Sequence, residues 1–127
     1  MLVVEDEYLS RQLLSLIIRK YGSIDSADDG EEALRLVRTS LEERRPYDLI
    51  FMDIVLPTMD GLAALKGIRA LEAAQGATAM EASKIIMVSA LSDSETLKDS
   101  RDGQCEAYIT KPYLKALLES TIERLFQ

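Results

Sequence analysis

Short apolar runs alternate with amphipathic stretches along this chain, and polar or turn-forming residues separate them. Three of the runs are continuously apolar rather than alternating, which is typical of strands that are covered on both faces. The pattern predicts five strands, over residues 2–5, 23–27, 48–52, 85–89 and 107–110.

Between the strands, large apolar residues recur every three or four positions, the spacing that places them on one face of a helix. We expect one buried stripe on each helix. The stripes are Leu9, Leu13, Leu16 and Ile17 in the first helix, Leu34, Val37 and Leu41 in the second, and Leu114, Leu117, Leu118, Ile122 and Leu125 in the last. A fourth helix is predicted over residues 94–102, where Leu97 is the one large apolar residue, so we expect it to be weakly anchored and mobile.

Turn signals agree with this division of the chain. Asp28-Asp29-Gly30 and Asp60-Gly61 each supply a turn and a capping residue directly before a helical stretch. Strand and helix alternate five times, which predicts right-handed crossovers and a parallel sheet with helices on both faces. The expected fold is a doubly wound α/β sandwich, and residues 1–127 are expected to form one domain.

Composition narrows the functional classes. The net charge of −7 argues against direct nucleic-acid binding, and the absence of histidine among the 127 residues excludes Ser-His-Asp catalysis, His-ligated zinc and a phosphohistidine carrier. No apolar run approaches the roughly 18 residues that span a bilayer, and no signal peptide is expected at the N-terminus. A single cysteine, Cys105, fits a reducing compartment, so we expect no membrane association and a cytoplasmic location.

Charged residues stand where three of the predicted strands end. Glu5 and Asp6 follow the first strand, Asp53 follows the third, and Lys111 follows the fifth. The carboxyl ends of parallel strands meet along one edge of the sheet, where ligands bind. Three neighbouring carboxylates repel one another, and a hard divalent cation such as Mg²⁺ would join them. Alternatively, Asp53 only caps the loop that follows it.

These residue types suit phosphoryl transfer onto a carboxylate. With magnesium present, Asp53 can act as a nucleophile and form an acyl phosphate, while Lys111 neutralises the charge of the transferred group. Pro112 restricts the backbone beside Lys111, although most lysines in such loops are simply exposed. Ser89 ends the fourth strand, and its hydroxyl can either donate to a phosphoryl oxygen or bond to nearby backbone.

Several motifs occur together in one order. They are Val4-Glu5-Asp6, the stretch from Ala27 to Leu34, the stretch from Met52 to Gly61, Val88-Ser89-Ala90, and Tyr108-Ile109-Thr110-Lys111-Pro112. In these motifs the chain resembles the receiver domain of two-component response regulators over essentially its whole length. The resemblance implies a flavodoxin-like fold with five parallel strands in the order 2-1-3-4-5.

The resemblance also implies a role for each matched residue. Asp53 would accept phosphate from a partner histidine kinase or histidine phosphotransfer protein. Glu5, Asp6, Asp53 and the backbone carbonyl of Val55 would hold Mg²⁺. Lys111 and Ser89 would contact the phosphoryl group, Ser89 and Tyr108 would form the switch, and the Lys111-Pro112 peptide bond would be cis.

The family signals through the face made by the fourth predicted helix, the last strand and the last helix. The resemblance therefore implies a phosphorylation switch with an unknown output protein or domain, rather than an enzyme acting on other substrates. Dimerisation through this face is compatible with the sequence. As an alternative explanation for Tyr108, its ring would only pack against a neighbouring helix.

Some segments depart from the family pattern. Residues 73–83 lengthen the third helix or form a partner-specific surface, and residues 101–106 are unusually polar. Val55 and Leu91, each two residues beyond a site residue, are apolar and cannot orient an attacking water, which predicts slow loss of phosphate.

Two other functions compete with the switch. A phosphohydrolase with an aspartyl nucleophile is disfavoured because Val55 stands where a second acid is expected and no cap domain is present. A phosphorylation-independent interaction module is disfavoured because the acidic residues, the serine and the lysine are all present.

Overall fold

The computed structural model of this chain describes residues 1–78, 80–90 and 105–126. The described strands are β1 (Leu2–Val4), β2 (Asp25–Ala27), β3 (Leu49–Asp53), β4 (Lys84–Ala90) and β5 (Ala107–Lys111). The described helices are α1 (Tyr8–Ile18), a short 3₁₀ turn (Arg19–Tyr21), α2 (Gly30–Glu42), α3 (Gly61–Ala74) and α4 (Lys115–Leu125).

The five strands form one parallel sheet in the order β2-β1-β3-β4-β5, as predicted. The register aligns Val4 of β1 with Met52 of β3, and Asp53 of β3 with Val88 of β4. Ser89 of β4 lies opposite Thr110 of β5, one residue before Lys111. The strands that end in candidate site residues therefore finish at the same edge of the sheet.

Two apolar clusters cover the two faces of the sheet. On one face α2 and α3 pack through Ala33, Val37, Leu65 and Ile68, and on the other α1 and α4 pack through Leu14, Ile18, Leu118 and Ile122. Alternate residues of β1, β3 and β4 point into each cluster. Because both faces are buried, these strands read as continuous apolar runs, and the predicted doubly wound α/β fold is confirmed.

The predicted buried stripe of α1 is wrong for Leu9, Leu13 and Leu16 and right for Ile17, which packs against the core cluster on the α1–α4 face of the sheet. Leu14 and Ile18 face the core, whereas Leu9, Leu13 and Leu16 are 73%, 57% and 57% exposed. The three exposed leucines recur at the helical spacing as regularly as the core residues do, so periodicity alone does not reveal which face the sheet covers.

The buried stripes predicted for α2 and α4 agree better with the structure. In α2, Val37 is buried, and Leu34 and Leu41 pack against the core as expected. In α4 the stripe is half right, since Leu118 and Ile122 are buried but Leu114 and Leu117 are exposed.

The predicted helix starts are confirmed in detail. The Asp29 carboxylate accepts a hydrogen bond from the backbone N–H of Glu32, and the Asp60 carboxylate accepts one from that of Ala63, each at 2.8 Å. Such caps satisfy donors that the first turn leaves open.

Residues 73–83, which were expected to lengthen the third helix or form a partner-specific surface, lengthen it only to Ala74. α3 ends at Ala74, and Gly76 adopts a φ of 75°. The helix predicted over residues 94–102, and Leu91, lie outside the described residues.

Candidate phosphoacceptor site

Lys111 joins the ends of three strands. Its Nζ donates hydrogen bonds to Oε2 of Glu5 and to Oδ2 of Asp53, each at 3.0 Å. Glu5 follows β1, Asp53 ends β3 and Lys111 ends β5. Residues up to 106 positions apart are thus brought into direct contact, as the sequence predicted from the strand ends.

The carboxylates of Glu5, Asp6 and Asp53 form an acidic cluster beside this lysine. One oxygen of each lies within 4.8 Å of the others. Glu5 and Asp53 are buried, whereas Asp6 is exposed. Burial, together with the adjacent Asp53 carboxylate, raises the pKa of Glu5 to about 7, although Lys111 acts in the opposite direction. One lysine therefore does not fully neutralise the cluster.

The lysine and the central aspartate are each held by more than one contact. Burial lowers the pKa of Lys111, but its hydrogen bonds to Glu5 and Asp53 outweigh burial, and the net pKa is raised. The other oxygen of Asp53, Oδ1, accepts the backbone N–H of Val55 at 2.9 Å. Lys111 is therefore a charged donor, and both Asp53 oxygens are oriented.

Ser89 and Tyr108 lie on the neighbouring strands β4 and β5. The Ser89 hydroxyl is buried, and its oxygen has no hydrogen-bond partner within the described ranges. A buried hydroxyl without a partner is costly, so a ligand or a rearrangement is expected to satisfy it. Tyr108 is half-buried and packs against the core cluster on the α2–α3 face.

The sequence interpretation missed two residues that shape the site. The α-carbon of Gly61 lies against β3, and a Cβ built there would be 2.2 Å from the carbonyl oxygen of Asp53. Arg11 donates to the carbonyl of Glu5 at 3.0 Å and forms an ion pair with Asp28. The Asp-Gly pair was visible in the sequence as a capping turn and as part of a family motif, but not as a close contact with β3, and no pattern marked Arg11.

The residues of the cluster fit a hard divalent cation. They supply only carboxylate oxygens, the ligands that Mg²⁺ prefers, and the exposed Asp6 leaves one side open to water. The raised pKa of Glu5 is the electrostatic sign that a further positive charge would be favourable here.

Comparison with known proteins identifies the family. The profile of the response regulator receiver domain matches residues 1–123, so this chain belongs to that family. Hybrid signal transduction histidine kinase A from Dictyostelium discoideum is 31% identical over 124 residues, which are 97% of this chain and 5% of the kinase. This chain spans 5–10% of the histidine kinases that it matches and 51% of the regulatory protein VanRB from Enterococcus faecalis.

Solved structures agree on the fold. A variant of the receiver domain of histidine kinase CKI1 from Arabidopsis thaliana has a TM-score of 0.82 and 31% identity, over 98% of this chain and 87% of that one. The receiver domain of sensor histidine kinase PA1611 from Pseudomonas aeruginosa has a TM-score of 0.77 and 26% identity, over 97% and 93%. That second structure holds a magnesium ion in its active-site cleft.

This chain is therefore a receiver of two-component signalling, the phosphoacceptor class of module. In the part of the chain that the structure describes, no helix is long and apolar enough to cross a membrane. The Lys111-Pro112 peptide bond is cis, which confirms the expectation from the family resemblance.

Proposed function

We propose that Asp53 is the phosphoacceptor of this receiver. The observation that carries the proposal is the convergence of Glu5, Asp53 and Lys111 from three strands, with Lys111 Nζ 3.0 Å from both carboxylates. In the transfer, an Asp53 oxygen attacks phosphorus, a new phosphorus–oxygen bond forms, and the bond to the donor breaks. When the donor is a phosphohistidine, the electron pair of the broken bond stays on the ring nitrogen, and the imidazole leaves neutral because its other nitrogen carries a proton beforehand or takes one from solvent as the bond breaks.

Lys111 and Ser89 stabilise the product. The Lys111 ammonium group is positioned to pair with a phosphoryl oxygen in place of its contact with Asp53 Oδ2. The Ser89 hydroxyl, which has no partner among the described residues, gains an acceptor when a phosphoryl oxygen arrives. Both contacts are stronger with the phosphorylated protein than with the free one, so they favour transfer.

We assign Glu5, Asp6, Asp53 and the backbone carbonyl of Val55 as the residues that would hold Mg²⁺. When bound, the ion supplies positive charge that offsets the phosphoryl group and the three carboxylates. The backbone N–H of Val55 keeps Asp53 Oδ1 in position for this role. Asp6 is the most exposed of the set and completes the site at the solvent side.

We further propose the signalling role of the site. The donor is a histidine kinase or a histidine phosphotransfer protein in the cytoplasm, and the chain catalyses only its own phosphorylation and dephosphorylation. Engagement of Ser89 by the phosphoryl group leaves space that the half-buried Tyr108 ring enters, which biases a two-state equilibrium. The surface around β5 and α4 passes the change to an output partner, with or without dimerisation.

Intact mass after incubation with acetyl phosphate tests the phosphoacceptor directly. The parent chain should gain one phosphoryl group in the presence of Mg²⁺ and none without it, and Asp53→Asn should gain none. Glu43→Gln, which changes an exposed acid far from the site, should behave as the parent. If neither an adduct nor beryllofluoride binding is detected, a phosphorylation-independent interaction module becomes the better assignment.

Val55 sets the lifetime of the phosphorylated form. Its side chain is 62% exposed two residues after Asp53 and offers no polar atom to orient an attacking water. We expect Val55→Asn to lose phosphate about tenfold faster, since a positioned polar group contributes a factor of this order or more to such steps. Val55→Ala, which is also apolar, is the control, and equal decay of all three proteins would contradict the prediction.

A further inference from the structure

Arg11 connects two loops at the edge of the candidate site. It closes the first turn of α1, and its side chain reaches back toward the helix N-terminus, as helical side chains do. One guanidinium nitrogen, Nη1, donates to the carbonyl oxygen of Glu5 at 3.0 Å and also to the Asp28 carboxylate. Glu5 lies in the β1–α1 loop and Asp28 in the β2–α2 loop. We call these contacts of Arg11 with Glu5 and Asp28 the inter-loop bridge.

The guanidinium group of Arg11 is held in place rather than presented to solvent. Its side chain is 17% exposed, and both hydrogens of Nη1 are used by the inter-loop bridge. The ring of Tyr8 has its centroid 5.8 Å from the guanidinium carbon, a distance at which cation–π attraction adds to the hold. The arrangement therefore suits a role inside the protein better than contact with a partner.

The Asp28 end of the bridge is a fixed anchor. Its backbone N–H donates to Oε2 of Glu32 at 3.3 Å, while the backbone N–H of Glu32 donates to Oδ1 of Asp29 at 2.8 Å. These reciprocal contacts tie the β2–α2 loop to the first turn of α2. The Asp28 side chain is 69% exposed, so its ion pair with Arg11 adds little stability by itself. Its effect is expected on geometry.

The Glu5 end of the bridge is a proposed metal ligand that is held at every polar group. Its N–H donates to the carbonyl of Ala27 at 3.1 Å, and its Oε1 and Oε2 accept from the N–H of Glu7 at 3.2 Å and from Nζ of Lys111 at 3.0 Å. The inter-loop bridge occupies the remaining group, the carbonyl oxygen. That carbonyl belongs to the peptide unit that leads to Asp6, which is exposed. The bridge therefore restrains the backbone of two proposed ligands.

We infer that Arg11 is a positioning residue for metal binding: the inter-loop bridge holds Glu5 and Asp6 so that their carboxylates face Asp53 before Mg²⁺ arrives. This inference rests on the proposed set of Mg²⁺ ligands. Arg11 contacts the carbonyl of Glu5 and not its carboxylate, so it orients the ligand without neutralising it. Outer partners that orient metal ligands typically change metal affinity by about 10- to 100-fold.

Geometry and charge predict opposite signs for Arg11→Gln. Removal of a positive charge beside the acidic cluster would by itself favour a divalent cation. Loss of the bridge would weaken binding, because the cation itself must then order Glu5 and Asp6. We expect geometry to dominate, with the Kd of Mg²⁺ raised about tenfold, the lower end of the range for such partners. Arg11→Lys keeps the charge and several donors, and its Kd should stay within about threefold of the parent.

Amide chemical shifts measured by NMR during a titration of the unphosphorylated chain with Mg²⁺ give these values. Arg19→Gln is the matched control for charge, because it removes an exposed arginine at the other end of α1, and its Kd should stay within about twofold of the parent. Asp28→Ala and Asp28→Asn lose the same charge, but only asparagine keeps an oxygen that accepts from Arg11. The Kd of Asp28→Ala should therefore be about threefold or more above that of Asp28→Asn.

A double-mutant cycle separates positioning from a general loosening of the fold. In the Asp6→Asn background, Arg11→Gln should raise the Kd by only about threefold or less, because part of what Arg11 orders is already gone. At saturating Mg²⁺, labelling of Arg11→Gln by acetyl phosphate should stay within about twofold of the parent, since the variant differs in cation occupancy.

The inference is overturned if Arg11→Gln binds Mg²⁺ as tightly as the parent or more tightly, or if Asp28→Ala and Asp28→Asn bind it equally. Should the amide spectrum show that Arg11→Gln does not fold, the two Asp28 variants decide the matter. A parent chain with neither Mg²⁺-dependent shifts nor Mg²⁺-dependent labelling would instead remove the proposed phosphoacceptor function itself, and this inference with it.

Discussion

Thr58 adopts a backbone conformation that β-branched residues avoid. It lies in the loop between β3 and α3 with a φ of 63°, in the left-handed region. Replacement by glycine removes the clash of Cβ with the backbone, at the cost of a more flexible unfolded chain. We expect Thr58→Gly to increase the free energy of unfolding by about 1 kcal/mol, measured by urea denaturation. Thr58→Ala keeps Cβ and should gain much less, and equal stabilisation by both would contradict strain at Cβ as the cause.

Gly61 allows α3 to begin against the end of β3 at Asp53. Its N–H donates to the carbonyl of Ile54 at 2.7 Å, and a Cβ would lie 2.2 Å from the Asp53 carbonyl oxygen. Gly61→Ala should therefore cost roughly 1–3 kcal/mol of unfolding free energy and slow acetyl phosphate labelling of the folded protein, because the backbone of Asp53 must move.

Gly67→Ala is the matched control for that substitution. Gly67 lies in the same helix as Gly61, and its Cβ would meet only the flexible side chain of Leu34 in α2, at 2.8 Å. Its labelling rate should equal that of the parent. If labelling slows equally in both glycine variants, a general disturbance of the packing of α3, and not displacement of Asp53, is the cause of the slowing.

At the scale of elements, an ion network that is buried at Glu72 and exposed at Glu106 ties α3 to the starts of β4 and β5. Arg69 donates to Glu72 at 2.7 Å and to both carboxylate oxygens of Glu106 at 2.9 and 3.0 Å. Those carboxylates also accept the backbone N–H groups of Ser83 and Ile85. The network lies at the opposite end of these strands from the candidate phosphoacceptor site, so we expect it to hold elements together.

Breaking this network should be costly. Arg69→Met leaves the Glu72 carboxylate buried without its cation, and we expect a loss of about 3 kcal/mol in unfolding free energy. Arg69→Met/Glu72→Leu removes both charges and should recover part of that loss. Arg35→Met, which disrupts an exposed pair with Glu32, should change stability by less than about 1 kcal/mol. A double variant that is no more stable than Arg69→Met would contradict this account.

At the scale of the whole molecule, the acidic cluster links cation binding to global stability. Its carboxylates come from the ends of β1 and β3, and they converge only in the folded chain. Mg²⁺ at ten times its dissociation constant should therefore raise the free energy of unfolding by about 1.4 kcal/mol. Thermal unfolding with increasing Mg²⁺ measures this, and Asp6→Asn should weaken the effect whereas Glu43→Gln should not. An increase of the same size in Asp6→Asn would exclude that residue as a ligand.

The sequence by itself determined where the main features lie along the chain. These are the five strands, the helix caps at Asp29 and Asp60, and the charged residues at the strand ends. These are local signals. A strand that is buried on both faces is apolar at consecutive positions, and the open N–H groups of a helix N-terminus are capped by a residue directly before the helix. The acidic cluster with Lys111 followed from them, since parallel strands end at one edge.

Only the tertiary structure decided which of the two apolar faces of α1 meets the sheet, and how closely Gly61 approaches Asp53. Both depend on the position of an element relative to others distant in sequence, and the helical period is identical whether a leucine packs inward or outward. The contacts of Arg11 and Arg69 were hidden for the same reason, because a charged residue shows no periodicity until its partners are placed in space.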